Sequence, residues 1–186
     1  MQPSYKHYLK IIRNTCTGHE RPVTIPSEEL ADLARLAEDH CTVPFVLSSF
    51  RGTPFYPSML QRTRSMMLNY YQIDQFTRHT VSLLEDNGID CILLKGISLA
   101  SCYPVPEYRK LGDLDLYISQ KSDVSKAQKL LEANGYIAEN ELSDHHLTYH
   151  YTFPKTGRRF LLELHYRVVG MYQCERCLLY TSDAAD

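Results

Sequence analysis

The chain has 186 residues, of which 44% are hydrophobic and 23% charged, with a formal net charge of -2 and a pI near 6.4. That is enough chain to bury a core without disulfide staples, and the composition is that of an ordinary globular protein. Nucleic-acid-binding proteins carry a basic face; here the dense basic clusters are the short pairs Arg62/Arg64 and Arg158/Arg159, so a small-molecule or protein substrate is expected rather than nucleic acid.

Met1 to Lys10 is polar and lacks the apolar stretch of a signal peptide. No apolar run reaches membrane-spanning length, and a cytoplasmic location is expected. Residues 1–26 are mixed in character and close on Pro22 and Pro26. Ser27 is a suitable N-cap for a helix from Glu28 to about His40, with Leu30, Leu33, Ala34 and Ala37 on its apolar face. After Pro44 and Pro54, a long helix is expected from about Ser58 to Asn87. Its stripe is Met59, Met66, Tyr70, Ile73, Thr77, Val81 and Leu84, and Gly88 closes it.

From residue 88 the texture changes. Ile89–Leu94 predicts a short buried strand, Ile97–Tyr103 a short helix stopped by Pro104, and Leu111–Ile118 a second strand. A helix capped by Ser122 or Asp123 runs to Asn134 and ends at Gly135. His145–Phe153 alternates, with Leu147, Tyr149, Tyr151 and Phe153 on one face and His146, His150 and two threonines on the other. Pro154–Gly157 is a turn, and Phe160–Val169 completes an antiparallel hairpin. The expected class is α/β (α+β): a helical region over residues 1–87 and a mixed-sheet core over 88–170. Six cysteines at 16, 41, 91, 102, 174 and 177 read as reduced thiols. Cys174 and Cys177 form a lone CxxC, short of a structural zinc site. The closing segment Cys177–Asp186, CLLYTSDAAD, continues no pattern and looks like translated adapter read-through; it is set apart as non-native, which implies a longer natural protein.

Three places concentrate chemistry. Asp113 and Asp115 stand two apart in an expected strand, so their carboxylates share a face while Leu114 and Leu116 point inward. Adjacent carboxylates repel unless a cation lies between them, and hard oxygen ligands suit Mg²⁺ or Mn²⁺. Taken alone, an Asp-x-Asp at a strand end is more often solvated surface. Glu163 shifts that balance, because it sits among leucines in FLLELHY, which reads as a central strand, and shares a face with His165. Three converging carboxylates bind metal and clamp a triphosphate for in-line displacement. Lys95-Gly96-Ile97-Ser98 follows a strand and opens a helix, where free N–H groups, the Ser98 hydroxyl and the Lys95 charge suit an anion. Arg109 suits either phosphate charge or a structural pair with Asp113 or Glu107. His165 is read as a structural histidine beside the pocket. His145, His146 and His150 suggest a zinc cluster, but only His146 and His150 share a face, and exposed alternation is the preferred reading.

The ordered set LLKGISLASCYP, Arg109, GDLDLYI, LLEANGY and LLELHY, over roughly residues 75 to 168, resembles the nucleotidyltransferase superfamily. It is closest to an uncharacterised bacterial nucleotidyltransferase family with LKG, GDxDL and a final ELHW or ELHY. The resemblance implies metal binding by Asp113 and Asp115, with Glu163 binding metal or acting as general base. It also implies that Gly96 and Ser98 hold the triphosphate of an NTP such as ATP. Ile97 departs from the superfamily, which has a second Gly or Ser there, and the gap from the turn to Asp113 is longer than usual. The expected activity is metal-dependent transfer of a nucleoside monophosphate to a hydroxyl or phosphate acceptor on a small molecule or a protein. The alternative is a catalytically silent member of the fold that binds a nucleotide or a partner.

Overall fold

The computed structural model describes residues 3–18, 23–139 and 143–167. The expected continuation of the last strand to Val169, the Cys174/Cys177 pair and the segment 177–186 lie outside the described residues. The described residues form two compact units that interleave along the chain: those up to 78 with 95–112, and 79–94 with those from 113 on.

The first unit is helical. It holds α1 (Pro3–Cys16), α2 (Leu30–Asp39), α3 (Val43–Val46), the start of α4 (Tyr56–Glu85) and the single turn α5 (Lys95–Ser98). Tyr8, Ile11, Leu33, Ala37, Val43, Val46, Phe50 and Met59 form its core. Helix α1 was not expected from the sequence, because its buried face rests on Tyr5, Tyr8, Ile11 and Ile12 while Leu9 lies on the exposed side among polar residues. Ser27 does not cap α2; it begins a 3-10 turn, Ser27–Glu29, and makes no side-chain cap bond. The segment 95–112 is fastened within this unit by three contacts. Asn69 Nδ2 donates to Leu111 O at 2.7 Å, the Tyr71 hydroxyl donates to Glu107 at 2.6 Å, and Phe45 packs edge-on against Tyr108. The Tyr71 hydrogen bond holds the Glu107 carboxyl below its ordinary pKa.

The second unit is built on a mixed sheet of five strands in the order β1-β2-β5-β4-β3. The strands are β1 (Ile92–Leu93), β2 (Leu114–Tyr117), β3 (Ile137–Ala138), β4 (His146–Thr152) and β5 (Arg159–His165). Helix α6 (Lys121–Ala133) connects β2 to β3. Strand β5 is central, parallel to β2 and antiparallel to β4. The predicted buried strand over Ile89–Leu94 is a correction: β1 is a two-residue edge strand with Ile92 56% exposed, and Ile89 alone of its apolar residues is buried. An edge strand has a single neighbour, and an apolar run does not by itself distinguish an edge from a centre. Leu114, Leu116, Leu162, Leu164 and Tyr149 form the apolar sheet face, each at most 1% exposed. Helix α6 meets this face, where its Gln128 bonds the Tyr149 hydroxyl; burial raises the pKa of that phenol. Gly88 ends α4 as expected, with φ of 70° and the Ile89 N–H returning to Leu84 O. No helix among the described residues is long and apolar enough to cross a membrane.

Candidate metal site on the polar sheet face

Cross-strand partners in a sheet share a face, and so do residues two apart in a strand. The register therefore fixes two polar rows. Asp115 pairs with Glu163 and Glu163 with Thr148; Tyr117 pairs with His165 and His165 with His146. The rows between them, Leu114–Leu162–Tyr149 and Leu116–Leu164–Leu147, make the opposite face. One strand thus supplies both core leucines and site residues: in FLLELHY, Leu162 and Leu164 point one way while Glu163 and His165 point the other.

On the polar face Asp115 and Glu163 come together. The Asp115 side chain is fully buried, that of His165 is 5% exposed and that of Glu163 20%. His165 Nε2 lies 3.2 Å from Asp115 Oδ1 and 3.3 Å from Glu163 Oε2. A buried carboxylate is costly unless it is paired and hydrogen-bonded, and this imidazole bridges both. His165, expected as a structural histidine beside the pocket, is buried and is a direct partner of the carboxylates. One ligand atom from each of Asp115, Glu163 and His165 lies within 4.8 Å of the other two. Two paired carboxylates suit a small divalent cation such as Mg²⁺ or Mn²⁺.

Asp113 is not part of that group. The alternation that joins it to Asp115 holds only inside a strand, and β2 begins at Leu114. Asp113 is half-buried, one residue ahead of the strand.

Lys95, Gly96, Ser98 and Arg109 belong to the first unit. Gly96 has φ of 47° and ψ of -116°, a conformation that glycine adopts without steric cost. The turn it makes is tight: the Ser98 hydroxyl donates to Lys95 O at 2.7 Å. The expected helix over Ile97–Tyr103 is replaced by α5 and a 3-10 turn, Leu99–Cys102. Arg109 braces this loop. Its Nε donates to Gly96 O at 3.0 Å, one terminal nitrogen donates to the Tyr103 hydroxyl at 3.1 Å, and its guanidinium lies 5.5 Å from the Tyr103 ring centre. Backbone bracing was not among the roles weighed for Arg109 from the sequence.

The histidines that come together are not the set His145, His146 and His150 suggested by the sequence. His150, expected on an exposed face with His146, is instead largely buried and paired with Glu139. His145 and His146 meet His165: their ring centres are 5.8 and 5.2 Å from that of His165 and 4.4 Å from each other. Strand alternation would send His145 and His146 to opposite faces, but β4 begins at His146 and His145 lies in the bend before it.

A family model described as "Uncharacterised nucleotidyltransferase" matches residues 26–183. No curated protein and no solved structure matches the chain.

Proposed function

Because the chain belongs to the uncharacterised nucleotidyltransferase family, we propose that it transfers a nucleoside monophosphate from an NTP to a hydroxyl or phosphate acceptor on a small molecule or a protein. The observation that carries this reading is the meeting of Asp115 and Glu163 on one sheet face, bridged by His165 Nε2 at 3.2 and 3.3 Å. Asp113, Asp115 and Glu163 are the residues proposed to hold Mg²⁺ or Mn²⁺, Asp113 standing one residue ahead of β2. A bound divalent cation neutralises charge on the triphosphate and polarises the reacting phosphoryl group.

In the reaction proposed, the acceptor oxygen bonds to the α-phosphorus, the bond to the β-phosphate oxygen breaks, and pyrophosphate leaves. The acceptor's proton passes to Glu163, the more exposed of the two paired carboxylates. His165 orients both carboxylates, so their positions are set before substrate arrives. Such a site works chiefly by holding charge and reactants in place. A separate proposal, resting on the motif they occupy, assigns Lys95, Gly96, Ser98 and Arg109 to the NTP phosphates.

The test is pyrophosphate release by the full chain with each common NTP and Mg²⁺, against Asp115→Asn. The expected result is Mg²⁺-dependent release by the wild type and its loss in a variant whose circular dichroism is unchanged. Nucleotide binding without release, together with equal Mg²⁺ affinity in both proteins, would overturn the catalytic reading in favour of a silent nucleotide-binding protein.

A further inference from the structure

We propose that His145, His146 and His165 form a second metal site, selective for a zinc-class transition cation, that adjoins the carboxylate site through His165. One ring nitrogen from each of the three lies within 4.8 Å of the other two. In a tetrahedral zinc site with bonds near 2.0–2.1 Å, ligand nitrogens stand about 3.3 Å apart. Closing that gap needs a shift of up to about 1.5 Å, within the reach of side-chain rotation.

The surroundings of each ring carry the argument further. A metal-bound histidine takes the metal through one nitrogen and is held through the other by a carboxylate or another acceptor. All three rings have such a hold. His145 Nδ1 lies 2.7 Å from Asp144 Oδ1 and 3.2 Å from Ser143 Oγ. His146 Nδ1 lies 3.1 Å from the same Ser143 Oγ. His165 Nε2 faces Asp115 and Glu163. His165 meets both carboxylates through Nε2, so Nδ1 is the ring nitrogen that remains to meet a metal. That Nδ1 is buried and has no hydrogen-bond partner among the described residues. A buried polar atom left unpaired is costly, and a bound cation would remove the cost.

The bend that carries His145 is anchored. Tyr166 and Arg167 both donate backbone N–H groups to His145 O, and the Tyr166 hydroxyl donates to Ser143 O at 2.9 Å. Imidazole suits zinc, copper, iron and nickel better than magnesium. Three protein ligands leave a fourth position open to water or a substrate atom. The site does not rest on the nucleotidyl-transfer reading, and its ligands His145 and His146 lie outside the carboxylate group.

The test uses the full chain with Cys174→Ser and Cys177→Ser, so that the CxxC thiols do not compete. Titration with Zn²⁺ by calorimetry and with Co²⁺ by visible absorption should give one site. Loss of an outer partner of a metal-bound histidine costs about 10–100-fold in affinity, so the His145→Ala/His146→Ala variant should lose at least that much. Its Mg²⁺ affinity should stay unchanged, which separates this site from the carboxylate one. A second readout needs no mutation at the site: ¹⁵N shifts of the ring nitrogens of His145, His146 and His165 should move on adding Zn²⁺, while those of His150 should not. Failure of the parent to bind Co²⁺ or Zn²⁺, equal affinity in the double variant, or shifts at His150 instead would overturn the proposal.

Discussion

Asp115→Asn should make the protein more stable in chelator and less responsive to metal. Ligand atoms of Asp115 and Glu163 lie within 4.8 Å. At that separation two unit charges repel by about 3.5 kcal/mol at an effective dielectric near 20. The Glu163 side chain is one-fifth exposed, and solvent screening lowers the repulsion to about 2–3 kcal/mol. Against this, the His165 bond to position 115 becomes neutral, a loss of about 1 kcal/mol. The net expectation in EDTA is a gain of about 1–2 kcal/mol, read as a rise of about 0.5–1 M in the urea midpoint for the usual slope. Adding Mg²⁺ at about one hundred times its Kd should stabilise the wild type by about 2.7 kcal/mol and the variant by little, reversing the order. A fall in the EDTA midpoint of the variant would show that the carboxylate pair is a net structural asset. Equal stabilisation of both proteins by Mg²⁺ would remove Asp115 from any metal site.

Two further outcomes follow from local geometry. Burial, reinforced by the charges of Glu85 and Asp90, pushes the Cys91 thiol up to about 11. Since the thiolate is the reactive form, alkylation at pH 8 followed residue by residue in a mass spectrometer should find Cys91 far slower than exposed Cys16; comparable rates would refute the burial argument. Gly96→Ala places a side chain at φ of 47°. It should cost about 1–3 kcal/mol in urea unfolding; an unchanged urea midpoint would refute the need for glycine in this turn.

The sequence made the sheet and its centre legible because FLLELHY and the Leu-Asp-Leu of β2 alternate so strongly that only one face of each could be buried. Glu163 and Asp115 then had to meet if their strands paired in register, and they do. The same logic failed at the ends of strands. Asp113 and His145 each lie one residue outside a strand, where the alternation of faces no longer applies. His165 was read as structural because a sequence does not show how close a ring comes to its cross-strand neighbours. In the first unit, Arg109 was legible as a charge but not as a brace, since its acceptor is a backbone carbonyl whose exposure depends on the Gly96 conformation.

The strand order has a consequence for how the protein is made. Strands β1 and β2 form one pair and β3 and β4 another, and only β5 joins them. Strand β5 is the last of the five in the chain, so during synthesis the two pairs wait, each with an open edge, until it emerges. The strand that closes the sheet also brings Glu163 and His165. A chain released early from the ribosome therefore carries Asp115 without its partners, and neither of the two proposed cation sites can form on a half-made molecule.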